Sequence, residues 1–107
     1  MTIKKRKAVV SGPAGRDLQN IFDYASQFDV DVAHRLVRKL AAKFIELAHI
    51  GIEGSSRSFL PENVRAFPYE KHCFYFTVDN GTLTLLRVLH GSQNTDDIVF
   101  VPPDEAS

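Results

Sequence analysis

Residues 71–91 read KHCFYFTVDNGTLTLLRVLHG, two runs of apolar and β-branched residues joined at Asn80-Gly81. Asn-Gly readily takes φ > 0 at both central positions of a two-residue type I′ turn, whose twist matches that of paired strands. In the first run Phe74, Phe76 and Val78 alternate with Cys73, Tyr75 and Thr77. In the second, Leu83, Leu85, Arg87 and Leu89 alternate with Thr84, Leu86, Val88 and His90. A period of two on either side of such a turn predicts a β-hairpin with strands over 71–79 and 82–90. The second strand is apolar on both faces, so it belongs in the middle of a sheet with something covering each side. It nevertheless carries one arginine and ends in His-Gly, which singles out Arg87 and His90. Strict alternation would put these two on opposite faces unless a bulge near Gly91 re-aims the histidine.

The rest of the chain supplies the covering. Residues 3–11 (IKKRKAVVS) predict a short strand with a basic first half. Lysines there would discourage an edge strand from pairing with other chains, and a phosphate-contacting patch is the alternative use of the same charges. Gly12-Pro13 ends that strand. Leu18, Ile21, Phe22, Ala25 and Phe28 then mark one face of a helix over about 14–28. Asp31 is the expected N-cap of a second helix over 31–50, with Ala33, Leu36, Val37, Leu40, Phe44, Leu47 and Ala48 as its apolar stripe. Gly51 is its expected left-handed end. The link between the helices is so short that they must fold back as an antiparallel hairpin.

Residues 51–61 are rich in Gly and Ser and read as loop. Residues 64–69 (VRAFPY) predict a strand whose end Pro68 restricts to an edge or a bulge. After Gly91 a polar stretch leads to Ile98-Val99-Phe100-Val101, an apolar run too short to assign by itself, stopped by Pro102-Pro103. The order strand, helix, helix, three antiparallel strands gives an α+β fold, a helical hairpin packed on a small antiparallel sheet. The expected division is one domain over residues 1–94 and a C-terminal extension over 95–107.

A chain of 107 residues makes a single domain. One cysteine, Cys73, allows no intramolecular disulfide, and with no signal-peptide core and no membrane-length apolar run the expected location is cytoplasmic. Thirteen basic residues balance thirteen acidic ones, whereas a domain that grips a phosphate backbone is usually basic. Direct sequence-specific nucleic-acid binding is therefore not expected. His34, His49 and His72 have no ligand spacing among themselves or with Cys73, so neither metal nor cofactor is expected. Cys73 reads as a small buried hydrophobe, and Asp23 and Tyr24 as packing and helix–sheet hydrogen-bonding groups.

Two stretches carry a family resemblance. GRDLQNIFDYA (residues 15–25) resembles the first-helix signature of ParE-type toxins, in the RelE/ParE superfamily of toxin–antitoxin systems. VRAFPYEKHCFYFTVDNGTLTLLRVLHGSQN (residues 64–94) resembles the second half of that family, and the closing LRVLHG is its most specific piece. The loop HIGIEGSSRS departs from the family's usual Phe-Pro-Glu-Met-Gly-like pattern, so loop contacts do not carry over. The resemblance implies the same strand–helix–helix–three-strand fold and a toxin that inhibits DNA gyrase. It also implies a cognate antitoxin, whose C-terminal segment the basic residues suggest is acidic. The superfamily's other branch, the RelE-like ribosome-dependent endonucleases, cleaves messenger RNA using cationic and acid–base groups around a phosphate. The matching positions would be Arg65, Arg87 and His90, but the usual tyrosine after the central strand is absent. A non-toxic interaction module of the same fold is a third reading. The structural alternative for Arg87 is a guanidinium paired with Asp17 or Asp23, fixing helix to sheet. For His90 it is a strand-end histidine bonded to backbone.

Overall fold

Ser11 is where strand gives way to helix. The computed structural model describes residues 5–56, 63–79 and 81–91, and in it β1 (Lys7–Val10) runs into Ser11, beyond which α1 (Gly12–Ser26) begins. The Ser11 hydroxyl accepts from the Ala14 N–H at 3.2 Å and caps the helix. Pro13 falls in the first turn, where its missing N–H costs nothing. The strand is thus shorter than the expected 3–11: Ser11 serves as cap, and residues 3 and 4 lie outside the described residues. α1 also stops earlier than expected. Phe28, assigned to its apolar stripe, lies beyond the helix and is 75 % exposed.

α2 (Val30–His49) is capped by Asp29, not Asp31. Asp29 has the extended backbone of a cap, and its carboxylate accepts from the Val32 N–H at 3.1 Å. Asp31 falls inside the first turn, where a negative charge complements the helix dipole. The other end follows expectation. Gly51 takes φ 72°, and its N–H reaches Ala48 O while Ile52 N–H reaches Leu47 O, the paired bonds of a Schellman cap.

The strands are β2 (Ser55–Ser56), β3 (Val64–Tyr69), β4 (His72–Val78) and β5 (Thr82–His90). They form one sheet in the order β1-β5-β4-β3-β2. β1 pairs with β5 in parallel and the other pairs are antiparallel, so the sheet is mixed and β5 is interior, as its two apolar faces require. β2 is a two-residue pairing inside the stretch read as loop. Asp79 and Thr82 close the β4–β5 turn by exchanging backbone bonds of 2.8 and 3.4 Å. Asn80, and with it the expected type I′ turn, lies outside the described residues, as do residues 98–101 and the extension. The β3–β4 turn is also two residues, Glu70-Lys71, and holds Glu70 at φ 56° without a glycine.

Both helices lie on one face of the sheet. Leu40, Phe44 and Leu47 of α2 pack with Phe74, Phe76, Leu83, Leu85 and Val88 in one core. Phe44 meets the rings of Phe74 and Phe76 edge-on at 5.9 and 6.3 Å. A second cluster, Val64, Ala66, Cys73, Tyr75, Leu86 and Leu89, is formed on the opposite face by strand residues alone. This α+β architecture is the one expected.

Candidate functional site

The site begins where β1 ends. Val10 is the last β1 residue in register with β5, at Leu85, and β5 continues to His90 with no further strand on that edge among the described residues. An unpaired strand edge must find other partners for its backbone groups. α1 provides them through side chains. The Ser11 hydroxyl donates to Leu86 O at 3.1 Å, and Val88 N–H donates to Asp17 Oδ2 at 3.0 Å. Arg87 donates to the same carboxylate twice, from Nε to Oδ2 at 2.6 Å and from a terminal nitrogen to Oδ1 at 2.8 Å. Asp17 therefore takes one backbone and two guanidinium bonds while only 8 % exposed. The hydrogen bond from Asp17 raises the Arg87 pKa above its ordinary value, overcoming desolvation, with the opposite charge adding to the effect.

The pairing of β4 with β5 slips beside this ion pair. Phe76 is opposite Leu85 but Tyr75 is opposite Arg87, leaving Leu86 as an extra residue. Such a bulge breaks strict alternation. Leu83 and Leu85 belong to the helix-side core and so does Val88, whereas Leu86 joins Leu89 on the far face. From Arg87 onward alternation is kept, so the expected separation holds in the register: Arg87 lies opposite Tyr75 of the far cluster, and His90 is in step with Val88 of the helix-side core. The bulge lies at Leu86, not near Gly91, and both residues nevertheless line one groove of about 710 Å³ at the turn end of the helical hairpin. Tyr24, Phe28 and Val32 form its helix-side wall, and Lys71, His72 and His90 its sheet-side wall. Tyr24 and Phe28 stand edge to face at 5.5 Å, and both are largely exposed.

His72 and His90 are a cross-strand pair with ring centroids 5.6 Å apart. Burial first, and then the neighbouring His90, lower the His72 pKa, while Glu70 opposes them. Arg65 is elsewhere. It sits on β3 opposite Phe76, two strands from Arg87, and does not line the groove. The structure thus brings Arg87 and His90 to one groove and leaves Arg65 out. Among the described residues no group of three or more His, Cys, Asp or Glu side chains is placed to hold a metal ion.

Three sequence assignments change. Of the two partners considered for Arg87, Asp17 is the one used. Asp23 is exposed, bonds Gln19 at 2.9 Å and does not reach the sheet, and Tyr24 is a groove wall. Arg6, grouped with the basic strand start, is 6 % exposed. Its guanidinium donates to Asp79 O, Ile52 O and Glu53, tying the β4–β5 turn to the end of α2, so it belongs to no surface patch. A sequence signal favoured Asp17 over Asp23. Asp17 falls with Ala14, Leu18 and Ile21 at helical spacing on the face toward the sheet, where a carboxylate needs a partner.

With this geometry in view, comparison with known proteins is informative. The family model of the ParE toxin of type II toxin–antitoxin systems, parDE, matches residues 9–95. Among solved structures, the fold is similar to the chromosomal ParDE TA system from P. aeruginosa, with a TM-score of 0.69 and 20 % identity over 81 % of this chain and 97 % of that one. No curated protein matches the sequence. No helix among the described residues is long and apolar enough to cross a membrane.

Proposed function

This chain belongs to the ParE toxin family of type II toxin–antitoxin systems, and from that premise we propose that it is a cytoplasmic poison of DNA gyrase held in check by a cognate antitoxin. The observation that carries this reading is the engagement of Arg87. A nuclease of the RelE type needs free cationic groups around a phosphate, converging with an acid or base. Here the Arg87 guanidinium is held in two bonds by a carboxylate that also bonds the strand backbone, and Arg65 lies two strands away. Freeing Arg87 would leave Asp17 charged and poorly partnered, which is costly in a site this buried. The pair reads as a clamp between helix and sheet.

The groove is the proposed seat of the antitoxin. Its helix-side wall exposes Tyr24, Phe28 and Val32, an apolar surface of the kind that receives an amphipathic segment. Its opposite wall carries Lys71, whose charge complements an acidic segment. One observation favours the ribonuclease alternative: Arg87 and His90 share this groove.

Paired assays on the wild-type protein decide between them, one for gyrase supercoiling and DNA cleavage, one for ribosome-dependent cutting of messenger RNA. Gyrase poisoning with intact messenger is the expected result. Cut messenger with unaffected gyrase would replace this reading with the nuclease one, and inactivity in both would leave the interaction module.

A further inference from the structure

The helical hairpin carries a second groove, of about 470 Å³, which shares no lining residue with the first. α1 stands between the two. It turns Ile21 and Tyr24 toward the first groove and Leu18 and Phe22 toward the second, which α2 closes with His34, Val37 and Arg38. Leu18, Phe22 and Val37 are half-buried, and the Phe22 ring meets the His34 ring edge-on at 4.8 Å. At Gly15 the groove is open, since a Cβ there would meet no atom within 4 Å.

Charge around this apolar floor is one-sided. Between Asp31 and Glu46, α2 carries Arg35, Arg38, Lys39 and Lys43 and no carboxylate. Lys39 is matched by Glu70 at 2.7 Å and Lys43 by Glu46 at 3.1 Å. Arg35 and Arg38 are exposed neighbours on the helix surface, and their guanidiniums have no ion pair or hydrogen bond among the described residues. No carboxylate lines the groove, and Asp23, next after Phe22, is engaged by Gln19 at 2.9 Å.

We propose that this second groove grips the target protein, by receiving an acidic amphipathic helix of that target between Arg35, Arg38 and the apolar floor. A guanidinium is weakly hydrated and presents a rigid fork that fits a carboxylate. An apolar floor takes a helix with apolar residues three and four apart, and the arginines at its rim take the carboxylates beside them. A phosphate backbone offers nothing to such a floor, and the chain has no net positive charge to hold one. The inference rests on the reading of the chain as a gyrase poison, and it gives target and antitoxin separate residues.

The test uses the full chain with Arg35→Glu and Arg38→Glu combined. A second variant, Arg35→Ala with Arg38→Ala, favours the helix, and helix content is monitored in both. Titrations measure binding to DNA-free gyrase and to the cognate antitoxin, and expression without antitoxin measures growth arrest. The charge reversal should weaken gyrase binding by at least about tenfold and antitoxin binding by less than about threefold. Arrest should be lost at unchanged helix content, with the alanine variant between it and the wild type. Undiminished gyrase binding, or equal losses toward gyrase and antitoxin, would overturn the proposal. So would a loss of affinity for free DNA alone, which would make the arginines a nucleic-acid contact. If the wild-type chain arrests growth without binding gyrase, the proposed target is wrong and arrest decides the surface. Arrest lost while the antitoxin still binds then supports it, and arrest retained overturns it. A wild-type chain that does neither overturns both.

Discussion

The two halves of β5 are both apolar strand, yet they are secured by different means. The first half, through Leu85, is paired with β1 on one side and β4 on the other, and its edge is finished by backbone alone. The second half keeps β4 but loses β1, and among the described residues that edge is met by two side chains, Ser11 at the cap of α1 and Asp17 within it. A backbone ladder accepts almost any sequence, whereas a side-chain finish depends on particular residues at particular places. The bulge, the ion pair and the groove all lie along the second half. The chemically distinctive part of this fold is therefore the part that regular sheet pairing leaves unfinished.

Asp17→Ala should break the second half most severely. It removes both guanidinium bonds and the partner of the Val88 N–H, and a loss of about 3 kcal/mol is expected by chemical denaturation. A cycle with Arg87→Ala should show coupling of about 1–3 kcal/mol, because the two residues act as one unit. Additive losses would mean that Asp17 serves the backbone alone.

Gly54→Ala is the matching test beside the first half. Gly54 holds φ 67°, and a Cβ there would lie 2.6 Å from Phe76 Cζ, in a ring packed opposite Leu85. Left-handed strain and core overpacking together should cost about 2–3 kcal/mol without altering residues of the groove. A loss that abolished antitoxin binding while stability held would contradict the division into halves.

Ser11→Ala should cost less, about 1–2 kcal/mol, by removing the α1 cap and the bond to Leu86 O together. Amide exchange should quicken at the start of α1 and along 86–90 rather than along 82–85.

The smallest effect concerns pH. Burial and His90 lower the His72 pKa, so the unfolded chain takes up a proton that the folded one resists. Stability should be unaffected above the ordinary histidine range and decline as pH falls through it toward the lower folded value. His72→Gln should remove that part of the decline, by less than about 2 °C in Tm between pH 7.5 and 5.5, since the ring is partly exposed and screened.

Much of the fold was legible because it rests on local chemistry. The period-two runs around residues 80–81 gave both hairpin strands, the helical stripe of α2 gave its buried face, and Gly51 gave its end. Arg87 and His90 stood out as polar residues in an apolar strand. Errors cluster where two signals of similar strength compete. Asp29 and Asp31 are both good caps, and only the backbone entering the helix selects Asp29. Arg6 looks like its lysine neighbours until the turn at Asp79 and the end of α2 close around it.

What the sequence determined by itself, then, were the elements, their order and the central place of β5, since these follow from periodicity, turn residues and apolar content within short windows. Tertiary structure decided the parallel addition of β1, the choice of Asp17 over Asp23 and the packing of the helical hairpin that gives Arg87 and His90 one groove to line. Each of these depends on residues about 70 positions apart meeting in space, as Asp17 and Arg87 do. No local pattern encodes which carboxylate will reach an unpaired strand edge, because that edge exists only once β1 has stopped short of it.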